Sequence, residues 1–210
     1  MNEIKKDNTE DRILVAAQKV FTKKGMDGSR MQEIADEAGI NKALLHYYFR
    51  TKQKLFEAIF NKVFEKIFPN LNTLIQSDLS IEVKIGIFIE KYTDLLLKNP
   101  FLPSFILKEI HRDPEFLASV IKSNGVNPNQ LFVMFEKEME AGNIKTMDPK
   151  DILINLLALC IFPVAAGPLM EIMFFENDRK AYADHLQMRK ETVKQFILDS
   201  ILIKNNQDRL

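Results

Sequence analysis

The stretch NKALLHYYFRTKQKLF, Asn41 to Phe56, gathers one histidine, two adjacent tyrosines, two phenylalanines and four cations without one carboxylate. It stands in a chain of 210 residues whose 29 Lys+Arg balance 29 Asp+Glu. Lysine pairs with phosphate or guanine, small and apolar side chains meet thymine methyl groups, and tyrosine hydroxyls donate to phosphate oxygens. A local charge of +4 in a neutral chain concentrates electrostatic attraction at that patch. Catalytic chemistry is not suggested. His46, His111 and His185 are far apart and form no HExxH pair, and Cys160 is alone, so neither a metal site nor a disulfide is expected. With no constellation of acids, bases and nucleophiles, no catalytic residue and no cofactor are expected.

The elements around this stretch read as helices. Apolar residues recur at three- and four-residue intervals nearly throughout, only seven glycines and eight prolines punctuate the chain, and no alternating run suggests a strand. The fold class is all-α. A hydrophobic content of 46% supplies a substantial core. The longest apolar run, Leu156 to Met170, is too short for a bilayer span and is interrupted by Pro163, Gly167 and Pro168. The first twelve residues lack the apolar centre of a secretory signal, and a cytoplasmic location with no membrane partner is expected.

Thr9, followed by Glu10 and Asp11, suits the start of a first helix with apolar face Ile13, Ala16, Ala17, Val20 and Phe21. Gly25 suits its left-handed end. Ser29, with Gln32 three residues on, has the spacing of a capping box for a second helix that stops at Gly39. Asn41 then caps a third. Gly39, Ile40 and Asn41 form a connection of helix-turn-helix length, and Ala35 allows close approach of the two helices. If Leu45 and Phe49 point inward, Lys42, Ala43, His46 and Tyr47 point outward, with Leu44 and Tyr48 on the flanks. Thr51 caps a fourth helix that begins with Lys52, so free amides and an ammonium converge on a possible phosphate.

The run GMDGSRMQEIADEAGINKALLHYYFRTKQKLFEAIF resembles the DNA-binding region of the TetR (tetracycline-repressor-like) family of bacterial regulators. The resemblance extends from the N-terminal part of the chain to about position 65, with IADEAGI as second helix and turn and YFRTKQKLF as the junction into helix four. It implies a three-helix DNA-binding domain over 7–67, with a recognition helix near 41–49. A long fourth helix would join this to a helical effector-binding and dimerisation domain over 68–210. Arg30 and Met31 would lie near the DNA backbone; Asn41, Lys42, Ala43 and Leu44 would face the operator; His46, Tyr47, Tyr48 and Lys52 would hold bases or phosphates. Leu44 departs from the small polar residue, and His46 from the tyrosine, that the family usually has there.

Beyond this region, Leu55, Phe56, Ile59, Phe60, Val63, Phe64, Ile67 and Phe68 form an apolar stripe on helix four. Further helices are expected through Ile85 to Leu96, around Phe105 to His111, from Pro114, from Pro128 and from Pro149, the last distorted near Pro163 and Gly167-Pro168. A final helix carries Met188 to Ile201. Candidate walls of an effector pocket are Phe88, Tyr92, Phe105, Phe132, Phe135, Cys160 and Met170. In the resembled family the last two helices of each subunit form a homodimer interface, which implies Leu153, Leu156, Leu157, Val193, Phe196, Ile197 and Ile201. A two-fold dimer reads two half-sites of a palindrome. The expected function is a ligand-responsive regulator, most simply a repressor released from double-stranded DNA by a small apolar or amphipathic molecule. The alternative is a helical protein-interaction module without sequence-specific DNA binding.

Overall fold

In a computed structural model the described residues, 2–64 and 68–203, form helices joined by short connections, with no strand among them. The helices are α1 (Asn2–Lys24), α2 (Met31–Ala38), α3 (Lys42–Tyr48), α4 (Lys52–Phe64), α5 (Phe68–Gln76) and α6 (Ile81–Lys98). There follow α7 (Leu102–Arg112), α8 (Pro114–Ser123), α9 (Pro128–Glu140), α10 (Pro149–Ala165), α11 (Gly167–Phe174) and α12 (Arg179–Ile201). Whether one helix runs on past α4, with Ile67 in its stripe, falls outside the described residues, as do the side chains of Phe64 and Phe68. The expected caps appear where local sequence supplies them. Asp113, Asn127 and Asp148 each accept from an amide of the first turn of α8, α9 and α10, and a proline follows each cap.

Two starts differ from expectation. The first helix continues back to Asn2, since no proline or glycine precedes Thr9 to stop it, and Thr9 is an interior residue. The second begins after Arg30, not Ser29. The Ser29 hydroxyl donates to the Met26 carbonyl at 2.7 Å inside the preceding turn, and Glu33 accepts from the Arg30 amide at 3.2 Å. Such a local bond to the backbone competes with capping.

Contacts divide the chain into two compact units, one of Met1–Pro69 with Ser104–Val126, the other of Asn70–Pro103 with Asn127–Leu210. In the first, α1 packs on α2 and α4 around Ile13, Ala17, Phe21, Ile34, Leu45 and Phe60. The later segment joins this core through aromatic rings. Phe56 stacks on Phe105 with centroids 4.5 Å apart and meets Phe116 at 5.5 Å, offset and tilted arrangements that aromatic quadrupoles favour. Lys108 donates to the Thr22 carbonyl, and the Arg112 guanidinium lies 3.6 Å from Asp27.

In the second unit, α6 packs on both α10 and α12, burying Ile85, Ile89 and Leu96 against the inner faces of those helices. Helix α10 passes through Pro163 to Ala165, and a bend of 69° then leads into α11, so the break falls just beyond the proline. The Pro163 carbonyl accepts from the Tyr182 hydroxyl at 2.6 Å, so this part-buried acceptor is satisfied. No single described helix is long and apolar enough to cross a membrane.

Candidate nucleic-acid interface

The outward face of α3 is supported by three layers of local chemistry. Gly39 adopts φ 64°, ψ 38° and its amide closes the end of α2; glycine enters this left-handed conformation without penalty. The Asn41 side chain accepts from the Leu44 amide at 2.8 Å, which caps the first turn of α3. Leu45 is wholly buried and Phe49 nearly so, which turns the opposite side to solvent. Arg12 of α1 adds a clamp that sequence reasoning missed. Its guanidinium donates to the Ala38 carbonyl at 2.6 Å, satisfying an orphan acceptor at the end of α2. Ion pairs from Lys19 to Glu37 (2.9 Å) and Lys24 to Glu33 (2.7 Å) tie the same two helices. The Lys24 hydrogen bond, then the Arg30 amide, hold the Glu33 carboxyl below the usual carboxylate range.

Asn41, Lys42, Ala43, Leu44, His46 and Tyr47 are all exposed, Tyr47 to 74%, and Tyr48 is half-buried with its ring edge-on to Tyr47 at 5.5 Å. Arg30 is exposed and Met31 half-buried at the start of α2. Among the described residues neither Lys42 nor Arg50 has a carboxylate partner within ion-pair distance, so both charges remain available to an anion. The other cations of the stretch are engaged. Lys54 pairs with Glu57 at 2.6 Å. Lys52 turns back into the protein, where its ammonium donates to the carbonyls of Met26 at 2.6 Å and Ser29 at 3.0 Å, with Asp27 at 3.4 Å. It fastens the turn that launches α2. A lysine reaching so far back along the chain leaves no local sequence signal.

Residues 13–59 match the family profile described as bacterial regulatory proteins, tetR family, which spans the capped helices and the α3 face just described. This N-terminal part of the chain is similar to the DNA-binding region of the TetR family. The chain is 33% identical over 118 residues to the HTH-type transcriptional repressor NicS of Pseudomonas putida, covering 56% of this chain and 49% of that one. It is 24% identical over 95 residues to the HTH-type transcriptional activator FasR of Mycolicibacterium smegmatis, covering 45% and 43%. The chain thus spans about half the length of these curated relatives. In fold it is similar to FadR of Bacillus subtilis, solved in complex with stearoyl-CoA, with TM-score 0.64, 17% identity and coverage of 90% and 97%.

In the second unit an apolar cavity of about 30 Å³ lies among α5, α6, α9 and α10. Of the residues expected to wall a pocket, Phe88 and Phe135 line it. Tyr92 stacks on Phe88 at 5.3 Å and lies near Cys160. Burial pushes the Tyr92 phenol well above its ordinary range and raises the Cys160 thiol. Phe132 and Met170 are half-buried and not among the lining residues, and Phe105 is a core ring of the first unit. The expected dimer residues also divide. Leu156, Val193, Ile197 and Ile201 are buried within the single chain, where α6, α10 and α12 pack against one another. Leu153 and Leu157 are half-buried, and Phe196 is 62% exposed. Exposed apolar residues that spacing did not single out lie at Ile154 and Phe162 of α10 and Phe174 of α11, and Met188, expected on the apolar side of the last helix, is exposed on α12.

Proposed function

We propose that this protein is a homodimeric, ligand-responsive transcriptional regulator whose α3 enters the major groove of a palindromic operator. The observation that carries the reading is the outward face of α3, exposed, free of carboxylates and fixed by caps at both ends of its turn. Lys42 and Tyr47 contact the operator directly, joined by Ala43, Leu44 and His46. Arg30, Met31 and Tyr48 flank them along the DNA backbone, and Asn41 acts by capping the helix. Residues 7–67 form the DNA-binding part and 68–210 the effector and dimer part, with the α7 and α8 segment packed on the former.

The dimer forms through the exposed apolar side of α10 and α12, where Ile154, Phe162, Met188 and Phe196 stand in water in the single chain, an unusual cost for a surface. Two-fold pairing places two α3 helices on half-sites roughly 34 Å apart. A small apolar or amphipathic effector entering the second unit favours a dimer geometry that no longer matches this spacing, and the output is repression relieved by ligand. Coupling of this kind needs a differential affinity of about 1–3 kcal/mol. The neighbour bound to stearoyl-CoA and the repressor NicS are consistent with this reading.

The test is binding of the purified chain to DNA from its own upstream region, beside unrelated DNA, across several salt concentrations. Selective binding that weakens steeply with salt, and that Lys42→Ala and Tyr47→Ala weaken with the fold intact, is the expected result. Weak and equal binding of both DNAs, unaffected by either substitution, refutes it and favours a protein-interaction module.

A further inference from the structure

Lys84 is 8% exposed, yet it lines a cavity whose other walls are hydrocarbon and aromatic. Its ammonium donates to the Ile75 carbonyl at 3.2 Å, at the end of α5, and among the described residues no carboxylate lies within ion-pair distance. One acceptor uses one of three ammonium protons. Burying a cation beside apolar groups without a counter-charge is unfavourable, and a buried charge is ordinarily paired.

The same lysine borders a second space. An open pocket of about 510 Å³ shares Ile75, Lys84 and Met134 with the apolar cavity, and its other lining side chains, such as Gln130 and Lys137, are largely polar. Lys84 therefore stands where a water-accessible pocket meets an apolar interior. The carboxylates that line the open pocket are Asp78 and Glu138, and Glu138 accepts from the Asn143 amide at 2.7 Å.

We propose that the effector is an anionic amphiphile, a carboxylate on an aliphatic chain, whose head pairs with Lys84 while its tail enters the cavity. This rests on the reading of the second unit as the effector-binding part. A carboxylate supplies the missing counter-charge and accepts the spare ammonium protons through charge-assisted hydrogen bonds. The tail needs room, since about 30 Å³ holds little more than one water-sized group. Leu71, Leu74 and Ile75 of α5 and Leu131 and Met134 of α9 are only half-buried, so these walls can part with little loss of packing.

The experiment is calorimetric titration of the full chain with octanoate, octan-1-ol and octyltrimethylammonium, for the wild type and for Lys84→Met. Octanoate is expected to bind at least tenfold more tightly than the alcohol, and the cation not at all. In Lys84→Met that preference falls to about onefold, with alcohol binding retained as proof of an intact cavity. Equal binding of acid and alcohol by the wild type, binding of none of the three, or an undiminished preference in Lys84→Met overturns the proposal. Operator binding without ligand is measured in parallel: its absence refutes the regulator reading and leaves the octanoate result standing, while its presence without octanoate preference refutes only the effector class.

Discussion

Replacing Lys52 by methionine separates two roles for the first cation of α4. The resemblance places this lysine on a phosphate, whereas its ammonium is hydrogen-bonded to the Met26 and Ser29 carbonyls at 2.6 and 3.0 Å. A hydrogen bond to a charged group contributes about 1.5–3 kcal/mol, and two would give about 6 kcal/mol at most. Water can reach part of this turn, so the expected loss is about 2–4 kcal/mol. Methionine keeps the length and apolar stem while removing every donor. Urea unfolding should show a lowered midpoint at unchanged slope, and amide exchange should place the loss in α2 and the turn before it. The salt dependence of operator binding supplies the second readout. Each phosphate contact contributes about 0.9 to the slope of log K against log salt, or about 2 for a symmetric dimer. An ammonium already committed to carbonyls leaves that slope unchanged. Unaltered stability together with a slope smaller by about 2 would refute the assignment and return Lys52 to the DNA.

Three further outcomes follow from the same structure. Gly39→Ala forces a left-handed φ of 64° on an L-residue and sets a Cβ 3.1 Å from the Arg12 guanidinium. The backbone strain alone costs about 1–2 kcal/mol, so thermal stability and operator affinity should fall together. Phe196→Asp should give folded monomers in sedimentation velocity, whereas Val193→Asp, buried at 4% exposure, should unfold the second unit; equal effects would refute the division between dimer face and core. Glu33 has a folded pKa depressed chiefly by Lys24, so its stabilisation is present above the ordinary glutamate range and disappears as pH falls through the folded value. Glu33→Gln should remove that part of the acid limb of a stability-against-pH curve, with unchanged pH dependence at neutrality and above.

The features legible in the sequence are those whose cause lies within a few residues. Asn41 caps α3, Gly39 turns the chain and Leu45 with Phe49 sets the outward face, because helical spacing and cap chemistry act over one or two turns. Ser29 shows the limit even there: it carries the right side chain for a cap, but the Met26 carbonyl takes its hydroxyl. Along α12 periodicity marks Val193, Phe196 and Ile197 alike as apolar, and only packing distinguishes them, since α6 and α10 cover Val193 and Ile197 and leave Phe196 in water.

By itself the sequence determined an all-helical chain, the capped helix-turn-helix and the polarity of its exposed face, since each follows from backbone geometry and side-chain chemistry read locally. Tertiary structure alone decided that Arg12 closes α2, that Lys52 fastens the turn before it, that Phe105 belongs with Phe56, and that Lys84 is enclosed beside an apolar cavity. These depend on which distant segments meet. Burial and hydrogen-bond satisfaction are properties of that assembled environment, and no spacing along the chain encodes them.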